Sequence, residues 1–322
     1  MLTEFDLIAT FFTRPSRQNS RIGLGIGDDC ALLSPSPSTQ LAISSDMLVE
    51  GRHFFAGADP FMLGHKCLAV NLSDLAAMGA KPIAFTLALA LPAARAEWLA
   101  PFSQGLFALA DLHDCALIGG DTTKGPLTIS ITIFGELPLG RALRRDAAQV
   151  GDDIWVSGTL GDARLALASY RNEVTLNTTT LDAVAPRMHM PTPRVALGCA
   201  LLQYAHAAID ISDGLIGDLG HIIERSQVGA SINVDALPVS KVLQDQTLDI
   251  QRAFALAGGD DYELCFTAEV SARKAIEAAA HAVKTSVTRI GTIESTLGLR
   301  LHDADGCPLN LPLSSFDHFT AP

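Results

Sequence analysis

Apolar residues recur along this chain with two spacings, helical and alternating, and the two interleave from end to end. Phe5, Leu7, Ile8, Phe11 and Phe12 repeat at helical spacing, which predicts a short amphipathic helix over Glu4–Phe12. Short β-rich runs follow at Ala31–Leu33, Leu41–Ser44 and Leu127–Phe134, bounded by Gly, Pro, Ser or Asp. Between them the spacing predicts helices over Met62–Met78, closing at Gly79, and over Glu97–His113. The polar, charged stretch Pro138–Asp153 interrupts the pattern, and a strand-like run restarts at Ile154–Ser157. Beyond it, strands are expected at Ala208–Ile211, Ser231–Val234, Leu264–Thr267 and Val287–Ile293, and helices at Thr192–Tyr204, Leu215–Ser226 and Ala272–Val283. Both halves read as α+β, with an N-terminal domain over 1–140 and a C-terminal domain over 150–322.

A length of 322 residues with 48% hydrophobic content allows two sizeable cores and excludes a disordered chain. The formal charge of −12, with no basic run, offers no footprint for nucleic acid or anionic lipid, so neither partner is expected. The six cysteines are scattered without a Cys-x-x-Cys pair, which argues for reduced thiols and against zinc or a disulfide framework. Met1–Arg17 lacks the basic start and clean apolar stretch of a signal peptide, and no apolar run reaches the roughly 18 residues of a membrane helix. A cytoplasmic protein is the expectation.

The chemistry should lie where acids meet Gly or Ser at the ends of apolar runs. Five segments have this form: Gly25–Asp29, Ile43–Asp46, Asn71–Asp74, Ile118–Thr122 and Asp210–Gly214. A single Asp beside Gly or Ser is usually a turn former or helix cap. Gathering several is costly unless cations offset the repulsion, and oxygen donors with hydroxyl neighbours Ser44, Ser45 and Ser73 suit Mg²⁺. Mg²⁺ in turn implies a phosphate-bearing substrate, and Gly119-Gly120-Asp121-Thr122-Thr123 reads as a Gly-rich turn whose backbone can approach a polyphosphate closely and donate N–H groups to it. Neither a P-loop nor a protein-kinase catalytic loop is present. Arg141, Arg144 and Arg145 form the densest basic group, fitted to clamp a nucleotide phosphate or simply to be a solvated linker. Gly258-Gly-Asp-Asp-Tyr-Glu-Leu264 gathers three acids and a Tyr suited to a polar or cationic organic group, and His53 lies close in sequence to Asp46.

Taken in order, these segments resemble the thiamine-monophosphate kinase family, in the superfamily shared with aminoimidazole ribonucleotide synthetase and selenophosphate synthetase. The resemblance runs through GIGDDCALL (25–33), SSDMLVEGRHF (44–54), AVNLSDLAAMGAKP (69–82), IGGDTTKGP (118–126), IDISDGLIGDLGHI (209–222) and GGDDYELCF (258–266). It implies a two-domain PurM-like architecture, with the N-terminal domains of a homodimer forming a joint β-barrel and a C-terminal α/β sandwich. It further implies several Mg²⁺ ions held by Asp29, Ser44, Ser45, Asp46, Asp74, Asp121, Asp210 and Asp213. Gly120, Asp121, Arg145 and Ser212 match positions that contact ATP, and His53 and Asp260 match positions that contact thiamine monophosphate. Two positions depart from the family pattern: Asp260 stands where Glu is usual, and Leu313 where a Trp often stacks on the thiamine ring. The reaction implied is in-line phosphoryl transfer from ATP to thiamine monophosphate. An aminoimidazole ribonucleotide synthetase-like enzyme, a non-catalytic nucleotide-binding regulator and a purely structural protein are the competing readings.

Overall fold

The computed structural model describes residues 3–14 and 20–312. These divide into two compact units, one made of the described residues of 1–75 and 80–141, the other of those of 76–79 and 142–312.

The first unit contains α1 (Glu4–Leu7), β1 (Ile22–Leu24), β2 (Leu32–Leu33), β3 (Thr39–Val49), α2 (Pro60–Met78) up to Leu75, β4 (Lys81–Leu91), α3 (Ala96–Leu112), β5 (Ala116–Lys124) and β6 (Thr128–Pro138). A π-helical turn over Ile8–Phe12 extends α1, so the expected first helix changes winding midway. Strand β6 shows how the pattern builds the sheet. Ile129, Ile131 and Ile133 are buried while Thr128, Ser130 and Thr132 between them are not, the period-two signature of a sheet with one covered face. The four strands run in the order β3-β6-β4-β5, with only β4 and β5 parallel. The expected strand Leu41–Ser44 is longer than the sequence pattern implies, because Ser44, Ser45 and Asp46 continue in register with β6. Strand β4 escaped the pattern for the opposite reason: almost every residue from Pro82 to Leu91 is apolar, so no alternation marks it.

Helices α2 and α3 touch backbone to backbone. A Cβ on Gly105 would lie 1.9 Å from the carbonyl oxygen of Phe61, and one on Gly64 would lie 2.1 Å from that of Phe102. Only glycine permits an approach this close, and Leu68, Leu72, Phe102 and Leu106 are fully buried along the two helices.

The second unit contains β7 (Asp153–Ser157), α4 (Asp162–Tyr170), α5 (Thr178–His189), α6 (Val195–Leu201), β8 (Ala205–Asp210), α7 (Leu215–Ser226), β9 (Gly229–Asn233), α8 (Lys241–Gln244), α9 (Leu248–Ala257), β10 (Leu264–Ala268), α10 (Arg273–Ala282), β11 (Val287–Glu294) and β12 (Gly298–His302). Its six strands run β12-β9-β11-β7-β10-β8, antiparallel except for β12 beside β9. Strands β7 and β10 are buried at every position, as expected of central strands covered on both faces. Leu215, Leu219, Ile222 and Ile223 of α7 join Ile154, Ile209, Ile211 and Ile232 in one core, and a second gathers Leu165, Val184, Met188 and Leu243 from α4, α5 and α8. Among the described residues no helix is long and apolar enough to cross a membrane.

The helix contact in the first unit yields a test. Gly105→Ala forces α2 and α3 apart and is expected to cost about 1–3 kcal/mol, as overpacking does, read as a lowered denaturant midpoint with unchanged slope.

Candidate active site

In the first unit, β3 and α2 carry the acids that the fold brings together. The inward residues of β3, Ser44 and Asp46, face α2: the Ser44 hydroxyl donates to Asp74 Oδ2, and the Asp46 N–H donates to Asn71 Oδ1 at 3.3 Å. Asn71 is fully buried and steadied by its own donation to the Cys67 carbonyl at 2.9 Å, so it fixes Asp46 from a rigid base. Ser45 points the other way, toward Thr132 on β6 at 3.0 Å.

His53 follows β3 in a tight turn. The Val49 N–H donates to its Nδ1 at 3.0 Å, so the neutral ring carries its proton on Nε2.

Asp29 is exposed in the loop between β1 and β2. Asp121 is exposed on β5, in a cross-strand row with Ala88, Ser130 and Met47, whereas Asp46 shares its row with the buried Ile131 and Leu87. The Gly119–Thr123 turn expected from sequence is therefore corrected: these residues lie within β5. The glycine is required there for another reason. Gly120 has φ +147°, and a Cβ on it would sit 1.8 Å from the Leu87 carbonyl oxygen.

In the second unit, β8 ends at Asp210 and the chain turns through Ile211–Gly214 into α7. Ser212, Asp213 and Gly214 all donate their N–H groups to Oδ2 of Asp218, at 3.0, 3.1 and 3.1 Å. Asp218 is 3% exposed, and burial, reinforced by the charges of Asp210 and Asp213, pushes its carboxyl up to about 7. Sequence reasoning passed over this residue, which carries the same Gly-Asp signal as its neighbours.

The other side of the turn is held by the Gly258–Leu264 segment. The Asp260 N–H donates to Ser212 O and the Tyr262 N–H to Ile211 O, both at 2.8 Å, with Asp260 at φ +66° and Tyr262 at φ +48°. Two of the three acids expected there to meet a ligand serve the fold instead. Glu263, 0% exposed, accepts from Ser157 Oγ at 2.5 Å, Arg194 Nε at 2.6 Å and Arg187 at 2.7 Å. Asp261 is fully buried and accepts the Gly161 N–H at the start of α4; burial pushes its carboxyl well above the usual range, although the Arg187 charge opposes this. Asp260 remains half-buried, accepting the Tyr262 hydroxyl at 3.2 Å.

Arg145 is exposed and its carbonyl accepts from Ser226 Oγ at 2.9 Å, while Arg144 pairs with Asp146. Leu313 lies outside the described residues. Among the described residues no three acidic, His or Cys side chains converge closely enough to hold a metal ion by themselves.

The chain matches the family of AIR synthase related proteins, the N-terminal domain over residues 27–137 and the C-terminal domain over 149–303. It is 46% identical over 321 residues to the thiamine-monophosphate kinase of Salmonella typhimurium, covering 99% of both chains. It is similar to the crystal structure of thiamine-monophosphate kinase from Stenotrophomonas maltophilia at TM-score 0.85 and 49% identity, over 91% of this chain and 93% of that one. A further solved structure, AaThiL complexed with AMPPCP and TMP, is similar at TM-score 0.77 and 30% identity, over 88% and 89% of the two chains.

Glu263→Gln leaves two guanidinium groups facing an uncharged amide. A loss of about 3–5 kcal/mol is expected, as for other broken buried ion pairs, measured by chemical unfolding.

Proposed function

The chain belongs to the AIR synthase related family and, within it, to the thiamine-monophosphate kinases; from that premise we propose that it transfers the γ-phosphoryl group of ATP in line to the phosphate of thiamine monophosphate, giving thiamine diphosphate and ADP. The observation that carries the reading is likeness over the whole chain to thiamine-monophosphate kinases, joined to the Ser44, Asp46, Asn71 and Asp74 cluster. The acceptor is already an anion, so no strong general base is needed and catalysis rests on positioning and charge neutralisation.

The donors fit Mg²⁺: they are carboxylate and hydroxyl oxygens, and Asp210 and Asp213, whose charges add to burial in raising Asp218, form an acidic pair whose repulsion a cation relieves. Asp29, Ser44, Ser45, Asp46, Asp74 and Asp121 of the first unit, and Asp210 and Asp213 of the second, would hold such ions. Bound Mg²⁺ neutralises the charge on transferring phosphates. Gly120, Asp121, Arg145 and Ser212 contact the nucleotide in this reading. His53, Asp260 and Leu313 contact the substrate in this reading.

A homodimer with a joint β-barrel is supported by the outward face of β3. Ile43 is 61% and Met47 57% exposed, with Leu41 beside them, on a strand that has a strand neighbour on only one edge among the described residues. A cytoplasmic site of action fits a biosynthetic enzyme of this kind.

Incubation with ATP, Mg²⁺ and thiamine monophosphate is expected to yield thiamine diphosphate and ADP in equal amounts, with free thiamine inert; ADP formation from neither acceptor overturns the reading. Asp74→Asn should reduce kcat by at least about 100-fold while the melting temperature of the nucleotide-free protein stays within a few degrees. Ile43→Asp should halve the mass seen by light scattering, and an unchanged mass would remove β3 from the interface.

A further inference from the structure

Three consecutive N–H groups aimed at one point at the start of a helix form a nest that ordinarily receives a phosphate or other anion. Ser212, Asp213 and Gly214 form such a nest before the twelve-residue helix α7, and its anion is supplied from within the chain by Asp218 Oδ2. The carbonyls of the same turn are taken as well, Ser212 O by the Asp260 N–H and Ile211 O by the Tyr262 N–H. Gly259 passes so close that a Cβ on it would lie 2.6 Å from Ser212 O. With these amides and carbonyls committed to the protein, the turn has little freedom to swing, and it holds the buried Asp210 and the half-buried Asp213 in fixed places.

We propose that Asp218 is a positioning residue: by filling the nest it bars a phosphate from the backbone amides and locks the Asp210–Gly214 turn so that Asp210 and Asp213 are presented to a divalent cation. The role rests on the kinase reading above, since it assigns the turn to cation binding. A carboxylate behind a metal-binding turn acts as outer-sphere partners generally do, holding ligands in place without touching the metal.

The test compares Asp218→Asn with Asp235→Asn. Asp235 is a structural carboxylate of the same unit, bonded to Arg252 and to the Ala304 N–H. Asp218→Asn is expected to raise the half-saturating Mg²⁺ concentration and lower kcat, each about 10–100-fold, with KM for thiamine monophosphate within about twofold. Amide exchange at Ser212–Gly214 should accelerate in the free protein. Asp235→Asn should lower Tm and leave the Mg²⁺ dependence as it is. The proposal fails if Asp218→Asn lowers Tm alone, with wild-type Mg²⁺ dependence and exchange. Should Asp218→Asn not fold, Asp218→Glu, which keeps the charge but displaces the oxygen, carries the same two readouts, and wild-type values for both overturn the idea. Should the unsubstituted protein make no thiamine diphosphate, the kinase reading is lost and exchange alone decides: faster amides in the variant support the lock, and unchanged amides refute it.

Discussion

A carboxylate cut off from water must have its charge answered inside the fold, and in the second unit Glu263 sets that condition for everything around it. Two arginines from different segments, Arg187 on α5 and Arg194 before α6, and the hydroxyl of Ser157 on β7 converge on it. The convergence fixes the start of β10, whose Leu264 N–H is taken by the same Ser157 hydroxyl. From there the Gly258–Tyr262 segment is drawn against the turn after β8, and that turn inherits its shape from a charge several residues away. Removing the charge strands two guanidinium groups, so the hub holds by the cost of its absence more than by any surplus when intact.

How much of this was legible depended on what each signal could encode. Helix α7 was readable to its ends, because Gly214 and the Leu215, Leu219, Ile222 spacing belong to the local sequence. Strand β5 was not, since a Gly-Gly pair reads as a turn until the carbonyl of Leu87 is known to lie against it. The same limit governed the acids. Asp210, Asp213 and Asp218 are chemically alike within nine residues, and so are Asp260, Asp261 and Glu263; only packing separates the enclosed Asp210, Asp218, Asp261 and Glu263 from the half-buried Asp213 and Asp260.

The acids therefore divide into two populations with opposite environments. Asp261 and Glu263 are fully enclosed and met by backbone amides or guanidinium groups, whereas Asp29 and Asp121 stand in water. Asp46 and Asp74 lie between, half-buried, with the Asp46 N–H donating to Asn71 and Asp74 accepting from Ser44.

Strand β3 carries two duties on alternate residues, Ser44 and Asp46 toward α2 and Ile43 and Met47 outward. A shift of a single residue would exchange the two faces, sending the acids out and the apolar side chains in. Insertions and deletions should therefore be absent from Thr39–Val49 across related chains of differing length, and such differences should collect in the segments flanking it. The strand's length is thus under a stricter constraint than the identity of any one residue in it.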